Sequence, residues 1–261
     1  MTGIVVEHLD AVAHVRFTRP LTRNALNEEM IGALTEAYES LGHDKAVRTI
    51  VLSAEGKVFS AGADLAWMQR QSTNSFDENV RDAERFSDML RAIYECPKPT
   101  VARVQGGAFA AGIGIMAAHD IVVAARDATF AITEAKLGIV PAVIGPYLVN
   151  AIGARAAKRL SLTAETFGAD LAREIGLVHE VVDELDLDRT VDQHVKLLLA
   201  NAPGAMNVIK TLFHIYQPGP IGVETRAFSA RAMAQARATA EAREGFEAFF
   251  ARRKPNWPLQ E

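Results

Sequence analysis

Two short segments of small residues, each between a predicted strand and a predicted helix, could do chemistry through their backbone. They are FSAGAD at residues 59–64 and AFAAGIG at residues 108–114. Amide N–H groups at a helix N-terminus have no intrahelical acceptor and can point at an anion. Two such turns together could bind one carbonyl oxygen as it gains charge, and losing one donor in comparable sites costs about 2.7 to 4 kcal/mol. Spacing alone favours equally a structural role, in which small residues let strand and helix pack closely.

Glu134, in the segment TEAK, is a candidate acid or base. A lone carboxyl beside an apolar pocket has its pKa raised by desolvation, which suits proton transfer near neutral pH. Taken alone, the local pattern favours a solvated charge at the start of a helix.

Other reactive combinations are weaker. His119 beside Asp120 suggests a charge relay, but sequence neighbours at a helix end are more typical of a cap or a core histidine. Ser60 does not lie in G-x-S-x-G, so a Ser-His-Asp hydrolase is not predicted. The seven histidines are scattered and Cys96 is the single cysteine, so no metal site is expected.

The run GIGIMA at residues 112–117 fits the dinucleotide-binding pattern G-x-G-x-x-A, with Glu134 twenty residues after Gly114. However, several residues separate its first glycine from the preceding strand, whereas that pattern needs glycines directly at the strand end. A nicotinamide-dependent oxidoreductase therefore stays a minor alternative.

These segments belong to a chain of 261 residues, 49% hydrophobic and 23% charged, with a net charge of −4. This composition excludes a disordered chain, and no stretch approaches the roughly 18 apolar residues of a membrane span. The mildly acidic balance argues against nucleic acid as the main partner, because duplex binding needs a basic face. One cysteine and an N-terminal segment unlike a secretory signal favour a cytoplasmic setting.

Hydrophobic patterning predicts an α/β fold over the first two thirds of the chain. Helices are expected from Asn27 and along about 80–93, and strands are expected at 4–9, 12–17, 49–52, 100–104 and 121–125. Strand, glycine-rich turn and helix occur twice in succession, which favours parallel strand pairing.

The remainder of the chain has a helical pattern from Pro141 onward. Thr163 is expected to cap a helix that begins at AETF, and one long helical segment is expected over about 221–253. We therefore predict a core over residues 1–195 and a C-terminal helical subdomain over 196–261.

Four motifs, in order, make the chain resemble the crotonase (enoyl-CoA hydratase/isomerase) superfamily over nearly its whole length. They are RPLTRNALNEEM at 19–30, FSAGADLAWM at 59–68, PKPTVARVQG leading into GGAFAAGIGIMAAHDI, and FAITEAKLGIVPA at 130–142. The resemblance implies a spiral of ββα turns with a helical C-terminal part, assembly as trimers or hexamers, and acyl-CoA thioester substrates. Details of the motifs are most similar to the methylglutaconyl-CoA and isohexenylglutaconyl-CoA hydratases, which implies a branched or carboxylated acyl group.

By motif position, the resemblance assigns the thioester oxygen to the amides of Ala63 and Ala111 and acid/base work to Glu134. Hydratases most like crotonase carry a further glutamate three residues after the second donor, where this chain has Gly114. Bacterial members of the glutaconyl subgroup often share that glycine. The missing carboxylate leaves open which group activates water.

The resemblance also implies which residues line the CoA site, with no cofactor beyond the CoA of the substrate. A neighbouring subunit's tail closes such a site in some relatives, although basic residues at a helix C-terminus are equally well explained by the helix dipole. The implied CoA-lining residues are Arg23, Ala25, Ala61, Asp64 and Leu65, with Phe249 and Lys254 from the tail. Candidate acyl-facing residues are Trp67, Met68, Phe86, Ile144 and Tyr147.

The implied activity is addition of water across the 2,3-double bond of an enoyl-CoA. Two alternatives stay open. One is an isomerase in which Glu134 moves a proton between C2 and C4, and the other is a non-catalytic CoA-binding or RNA-associated member.

Overall fold

The computed structural model describes residues 2–216 and 219–257, and its core is a parallel sheet with helices on both sides. The strands are β1 (Ile4–Leu9), β2 (Val12–Phe17), β3 (Thr49–Ala54), β4 (Thr100–Val104), β5 (Gly107–Phe109), β6 (Ile121–Ala125), β7 (Thr129–Ala131), β8 (Phe167–Gly168) and β9 (Glu180–Val182). Six of them form one sheet in the order β1-β2-β3-β4-β6-β9, and β5, β7 and β8 form a second.

Parallel pairing in the main sheet confirms the expectation from the strand, turn and helix alternation. Only the β1–β2 hairpin is antiparallel; β2, β3, β4, β6 and β9 pair in parallel. Parallel strands are covered on both faces, which explains the nearly continuous apolar run of β3. The sheet thereby brings the ends of successive strands to one edge, where the two small-residue turns lie.

Ten helices lie within the described residues. They are α1 (Glu28–His43), α2 (Leu65–Gln71), α3 (Phe76–Tyr94), α4 (Ala111–Ala117), α5 (Gly145–Thr163), α6 (Ala169–Glu174), α7 (Leu187–Leu199), α8 (Pro203–Ile215), α9 (Val223–Arg237) and α10 (Ala240–Phe250). Asn27 caps α1, as predicted, by accepting a 3.0 Å hydrogen bond from the amide of Met30. No described helix is long and apolar enough to span a membrane.

Three local predictions were wrong. Thr163 ends α5 and caps no following helix, because its hydroxyl bonds back to the carbonyl of Arg159. The helix expected from Pro141 begins only at Gly145. The long C-terminal segment is broken between α9 and α10, where the hydroxyl of Thr239 accepts from the amide of Ala242 and starts a new helix.

The second sheet was not anticipated, because β5 interrupts the glycine-rich segment expected to run straight into a helix. β5 pairs in parallel with β7, so the turn that precedes α4 is fixed by strand pairing. The predicted boundary after residue 195 falls inside α7, whose Val191 and Val195 pack against the main sheet.

Candidate active site

Ala63 pairs with Leu26 in a short parallel β-bridge, and the N–H of Ala63 points away from Leu26. The amide of Leu26 donates to the carbonyl of Gly62 (2.7 Å), and the amide of Asp64 donates to the carbonyl of Leu26 (2.8 Å). In parallel pairing these flanking bonds leave the central N–H on the other side. Within the described chain, the N–H of Ala63 therefore has no acceptor.

Ala111 is the first residue of α4, and the turn before it is strained. Ala110 has φ 45° and ψ −115°, a conformation that costs a residue with a Cβ on the order of 1 to 3 kcal/mol. Its amide donates to the carbonyl of Ala131 (3.0 Å), which holds the turn against β7. The N–H of Ala111 meets no acceptor in the described part of the chain, as the first-turn position requires.

The two turns are in direct contact. Ser60 pairs with Ala108, and the amide of Phe109 donates to the carbonyl of Ser60 (3.0 Å). A Cβ on Gly62 would lie 3.0 Å from the carbonyl oxygen of Phe109, and one on Gly112 would lie 2.9 Å from the Cβ of Ser60. The small residues are therefore required for this approach, which places both unpaired amides in one part of the molecule.

Glu134 is buried, and one oxygen of its carboxyl has no hydrogen-bond partner among the described residues. It begins a short 3₁₀ helix (Glu134–Leu137) after β7, is 9% exposed, and its Oε2 has no partner among the described residues. Burial raises its pKa, and hydrogen bonding to the backbone of Glu134 and Thr133 offsets part of the rise. The carboxyl follows Ala131, the residue bonded to Ala110, by three positions, so β7 links it to the second turn.

At Gly114 the space that a second carboxylate would need is filled by apolar side chains. A Cβ on Gly114 would lie 2.3 Å from Cγ2 of Ile144 and 3.7 Å from Cδ1 of Leu90. Ile144 is 1% exposed and Leu90 is fully buried. A glutamate at position 114 is therefore excluded by the packing of α4 against Leu90 of α3 and against Ile144, which precedes α5.

Backbone hydrogen bonds connect the two segments that contain most of the predicted CoA-lining residues, 23–26 and 61–65. The amide of Ala61 donates to the carbonyl of Arg23 (2.9 Å), and Leu26 next to Ala25 bonds to Gly62. Leu65 follows as an exposed first residue of α2.

Asp64 is engaged structurally. Its carboxylate accepts from the amides of Ala66 and Trp67 at the start of α2 and pairs with Arg19 at 3.0 Å. Burial would raise its pKa, but these hydrogen bonds outweigh burial and the net pKa is lowered. The carboxylate of Asp64 thus caps α2, and its predicted place beside CoA stays a prediction.

The predicted tail residues Phe249 and Lys254 are exposed, but no hydrogen bond or ion pair among the described residues ties the tail to Arg23 or Ala61. Glu244 binds Arg253 through both guanidinium nitrogens (2.6 and 2.8 Å). Within one chain, the tail lies against α10 and the end of α7. The role of Phe249 and Lys254 at a neighbouring CoA site stays a prediction.

Of the candidate acyl-facing residues, Ile144 packs against α4, at Gly114. Trp67 lies in a groove between α1 and α3, and its buried Nε1 has no partner among the described residues. Tyr147 packs edge to face against Tyr94 (5.3 Å), Phe86 packs against the core, and Met68 is half-buried.

His119 is the core histidine that its sequence context favoured. Its Nδ1 meets the carbonyl of Ile115 (2.7 Å), so Nδ1 carries the proton and the hydroxyl of Tyr38 donates to Nε2 (2.7 Å). Burial lowers its pKa to about 4. Asp120 instead accepts from Thr100 and Lys210, so no charge relay forms.

A cavity of about 500 Å³ lies at this C-terminal end of α4 and is lined by Asp120 and Lys210, but not by Glu134, Ala63 or Ala111. Three further cavities are likewise lined by none of these three residues. Oxyanion donors need only an accessible pair of N–H groups, so a site at the two turns requires no deep cavity.

The glycines of GIGIMA lie inside α4 and pack against Ser60 and Ile144, so they form no phosphate-binding turn. In the described residues no group of three or more His, Cys, Asp or Glu could hold a metal ion.

Sequence reasoning missed Asn24, which is fully buried with φ 53°. Its side-chain Nδ2 donates to the backbone carbonyls of Glu55 and Val58 (both 2.8 Å). The backbone carbonyl of Asn24 accepts from the hydroxyl of Ser60 (3.0 Å). Asn24 thereby ties the RNAL loop to the first turn. The available signal was an Asn in a loop, a residue type that tolerates positive φ.

The fold is that of the crotonase superfamily, and the comparisons agree. The chain belongs to the enoyl-CoA hydratase/isomerase family, whose profile matches residues 7–260. A Thermus thermophilus protein provisionally named enoyl-CoA hydratase is 37% identical over 94% of this chain and 97% of its own. The 1,2-epoxyphenylacetyl-CoA isomerase of Escherichia coli is 30% identical over 98% and 99%. A crystal structure of an enoyl-CoA hydratase from Shewanella pealeana superposes with a TM-score of 0.95 at 36% identity, covering 98% of this chain and 96% of that one.

Proposed function

We propose that the chain hydrates an enoyl-CoA, with the amides of Ala63 and Ala111 holding the thioester oxygen and Glu134 moving the proton. The observation that supports this most is the buried carboxyl of Glu134, whose Oε2 has no partner among the described residues and which strand β7 ties to the turn that presents Ala111. A buried carboxyl with a raised pKa is matched to proton transfer near neutral pH.

One carboxyl suffices for a balanced addition. The carboxylate of Glu134 takes a proton from water as the oxygen of that water forms a bond to C3. The 2,3-double bond moves its electrons toward the thioester, and the oxyanion is stabilised by the two N–H groups. The protonated carboxyl then delivers the proton to C2, which restores the thioester and the starting enzyme.

The acyl group in this proposal is branched or carboxylated, as the motif resemblance implies, and the CoA of the substrate is the only cofactor involved. We further propose assembly as a trimer or hexamer, which would bring the tail residues Phe249 and Lys254 of one subunit near the CoA site of another. The exposed aromatic residues of α10 support this arrangement, since a large apolar surface favours an interface.

A double-bond isomerase is the second candidate, and the packing at Gly114 favours it. Ile144 and Leu90 supply no acid or base on that side of the site. A single carboxylate can take a proton from C2 of a 3-enoyl-CoA, which gives a dienolate whose oxyanion is stabilised in the same way. Returning that proton to C4 leaves the double bond between C2 and C3.

Product analysis separates the two activities. Purified protein is incubated with a 2-enoyl-CoA and, separately, with a 3-enoyl-CoA, each with straight, branched and carboxylated acyl groups. Hydration predicts loss of enoyl-thioester absorbance and a product heavier by one water. Appearance of that absorbance from the 3-enoyl-CoA, without added mass, would assign the isomerase instead, and inactivity on the whole panel would contradict both.

A further inference from the structure

The side chain of Ile144 packs onto α4 at Gly114, more closely than Ser60 packs at Gly112. Its Cγ2 lies 2.3 Å and its Cβ 2.9 Å from where a Cβ on Gly114 would be, so the side chain reaches the helix backbone itself. Only glycine at 114 permits this contact. Ile144 is 1% exposed and belongs to the main hydrophobic core.

This contact lies one helical turn from the proposed oxyanion donor. Gly114 follows Ala111 by three residues, which is about 4.5 Å along the helix axis. A thioester oxygen held at Ala111 would lie about one helical turn from Gly114 and from the Ile144 side chain packed on it. The group facing α4 at that point is a hydrocarbon, and an apolar surface does not hold water in place.

Building on the proposed function, we propose that Ile144 is a specificity-determining residue: it excludes water from the α4 side of the acyl chain and so sets the ratio of hydration to double-bond shift. Water reaches C3 only where Glu134 binds it. A hydroxyl at position 144 would supply a hydrogen-bond partner for a second water, whereas a smaller hydrocarbon there leaves a dry gap.

The test compares Ile144→Thr with Ile144→Val, because threonine and valine have nearly the same shape and differ in one hydroxyl. Both variants are given a 3-enoyl-CoA and a 2-enoyl-CoA, and hydrated and shifted products are quantified together. We expect Ile144→Thr to raise the ratio of hydrated to shifted product about tenfold over Ile144→Val, a difference of about 1.4 kcal/mol in relative barrier height. Equal ratios in the two variants would overturn the proposal.

The matched controls are Ile152→Thr and Ile152→Val, on the same helix and also buried. Ile152 lies eight residues on, about 12 Å along the chain axis, and should leave the ratio unchanged. An equal rise in the Ile152 pair would show a general effect of a buried hydroxyl and would also overturn the proposal.

A second readout keeps the test informative if Ile144→Thr folds poorly. In wild type and Ile144→Val, deuterium at C2 of a 3-enoyl-CoA should be transferred in large part to C4, because Glu134 is secluded from water. Complete washout in wild type would contradict a dry site. Failure of the proposed function itself gives a different pattern, namely no turnover of either substrate by wild type.

Discussion

Gly62 lies directly against Ala110: a Cβ on Gly62 would be 3.2 Å from the Cβ of Ala110 and 3.0 Å from the carbonyl oxygen of Phe109. Gly62 also has φ 92°, a backbone conformation that residues with a Cβ rarely adopt. The distance between the two oxyanion turns is thus set at Gly62, a residue that has no side chain. Their spacing should be sensitive to one added methyl group.

Gly62→Ala should destabilise the protein by about 1 to 3 kcal/mol, because it adds strain at positive φ and a tight contact with a backbone oxygen. It should also lower kcat by moving Ala63 relative to Ala111. Urea unfolding and steady-state kinetics check both effects. Gly32→Ala in α1 is the control, since its Cβ would meet no atom within 4 Å and should stabilise by about 0.5 to 1 kcal/mol. A Gly62→Ala protein as stable and active as wild type would contradict the spacing argument.

His119→Gln should change how stability depends on pH. The pKa of His119 is lowered from 6.5 to about 4. As pH falls through this range, the unfolded chain therefore binds a proton at His119 and the native protein does not. Wild type should lose up to about 3 kcal/mol between pH 7 and pH 4 through this residue. The variant lacks this loss, although at pH 7 it is less stable by about 1 to 3 kcal/mol because Tyr38 loses its partner. Parallel pH profiles for the two proteins would show that His119 is not buried in its neutral form.

The sequence allowed the main sheet and the two turns to be predicted because hydrophobic period and small-residue spacing are local signals. β1 and β2 match the predicted bounds, and Asn27 caps α1 as expected. Long-range packing was not accessible in this way. The contact of Ile144 with Gly114 joins residues 30 positions apart, and the local sequence IVPAVIG contains no pattern that predicts it.

Local ambiguity explains the remaining errors. Thr163 is suited both to an N-cap and to a back-bond onto the preceding turn, and only the packing of α5 decides between them. The cap that Asp64 forms on Ala66 and Trp67 was not predicted from the sequence, and its predicted place beside CoA stays a prediction.

Asp64→Ala tests the capping role of Asp64. Loss of the α2 cap and of the pair with Arg19 should reduce the free energy of unfolding by about 1 to 2 kcal/mol. Thermal or urea unfolding measures this change, with the affinity for CoA followed by titration. Unchanged stability would contradict the capping role, and weaker CoA binding would support the predicted place of Asp64 beside CoA.

Glu134→Gln should stabilise the protein at neutral pH. Burial raises the pKa of Glu134 above its ordinary value of 4.5, so the fold favours the protonated carboxyl. Wild type and variant should therefore be about equally stable below pH 4.5, and wild type alone should lose stability as pH rises through the raised pKa. Urea unfolding at several pH values checks the sign. A variant that is less stable than wild type at pH 7 would mean that the carboxylate has a favourable partner.

The most direct test of the account is the turnover of Glu134→Gln on the enoyl-CoA that wild type uses best, with Glu29→Gln at an exposed helix start as the control. We expect kcat to fall by about 10² or more with little change in affinity, since general acid/base catalysis contributes on that scale. The control should keep wild-type kcat. Turnover of Glu134→Gln equal to wild type would show that no proton passes through this carboxyl.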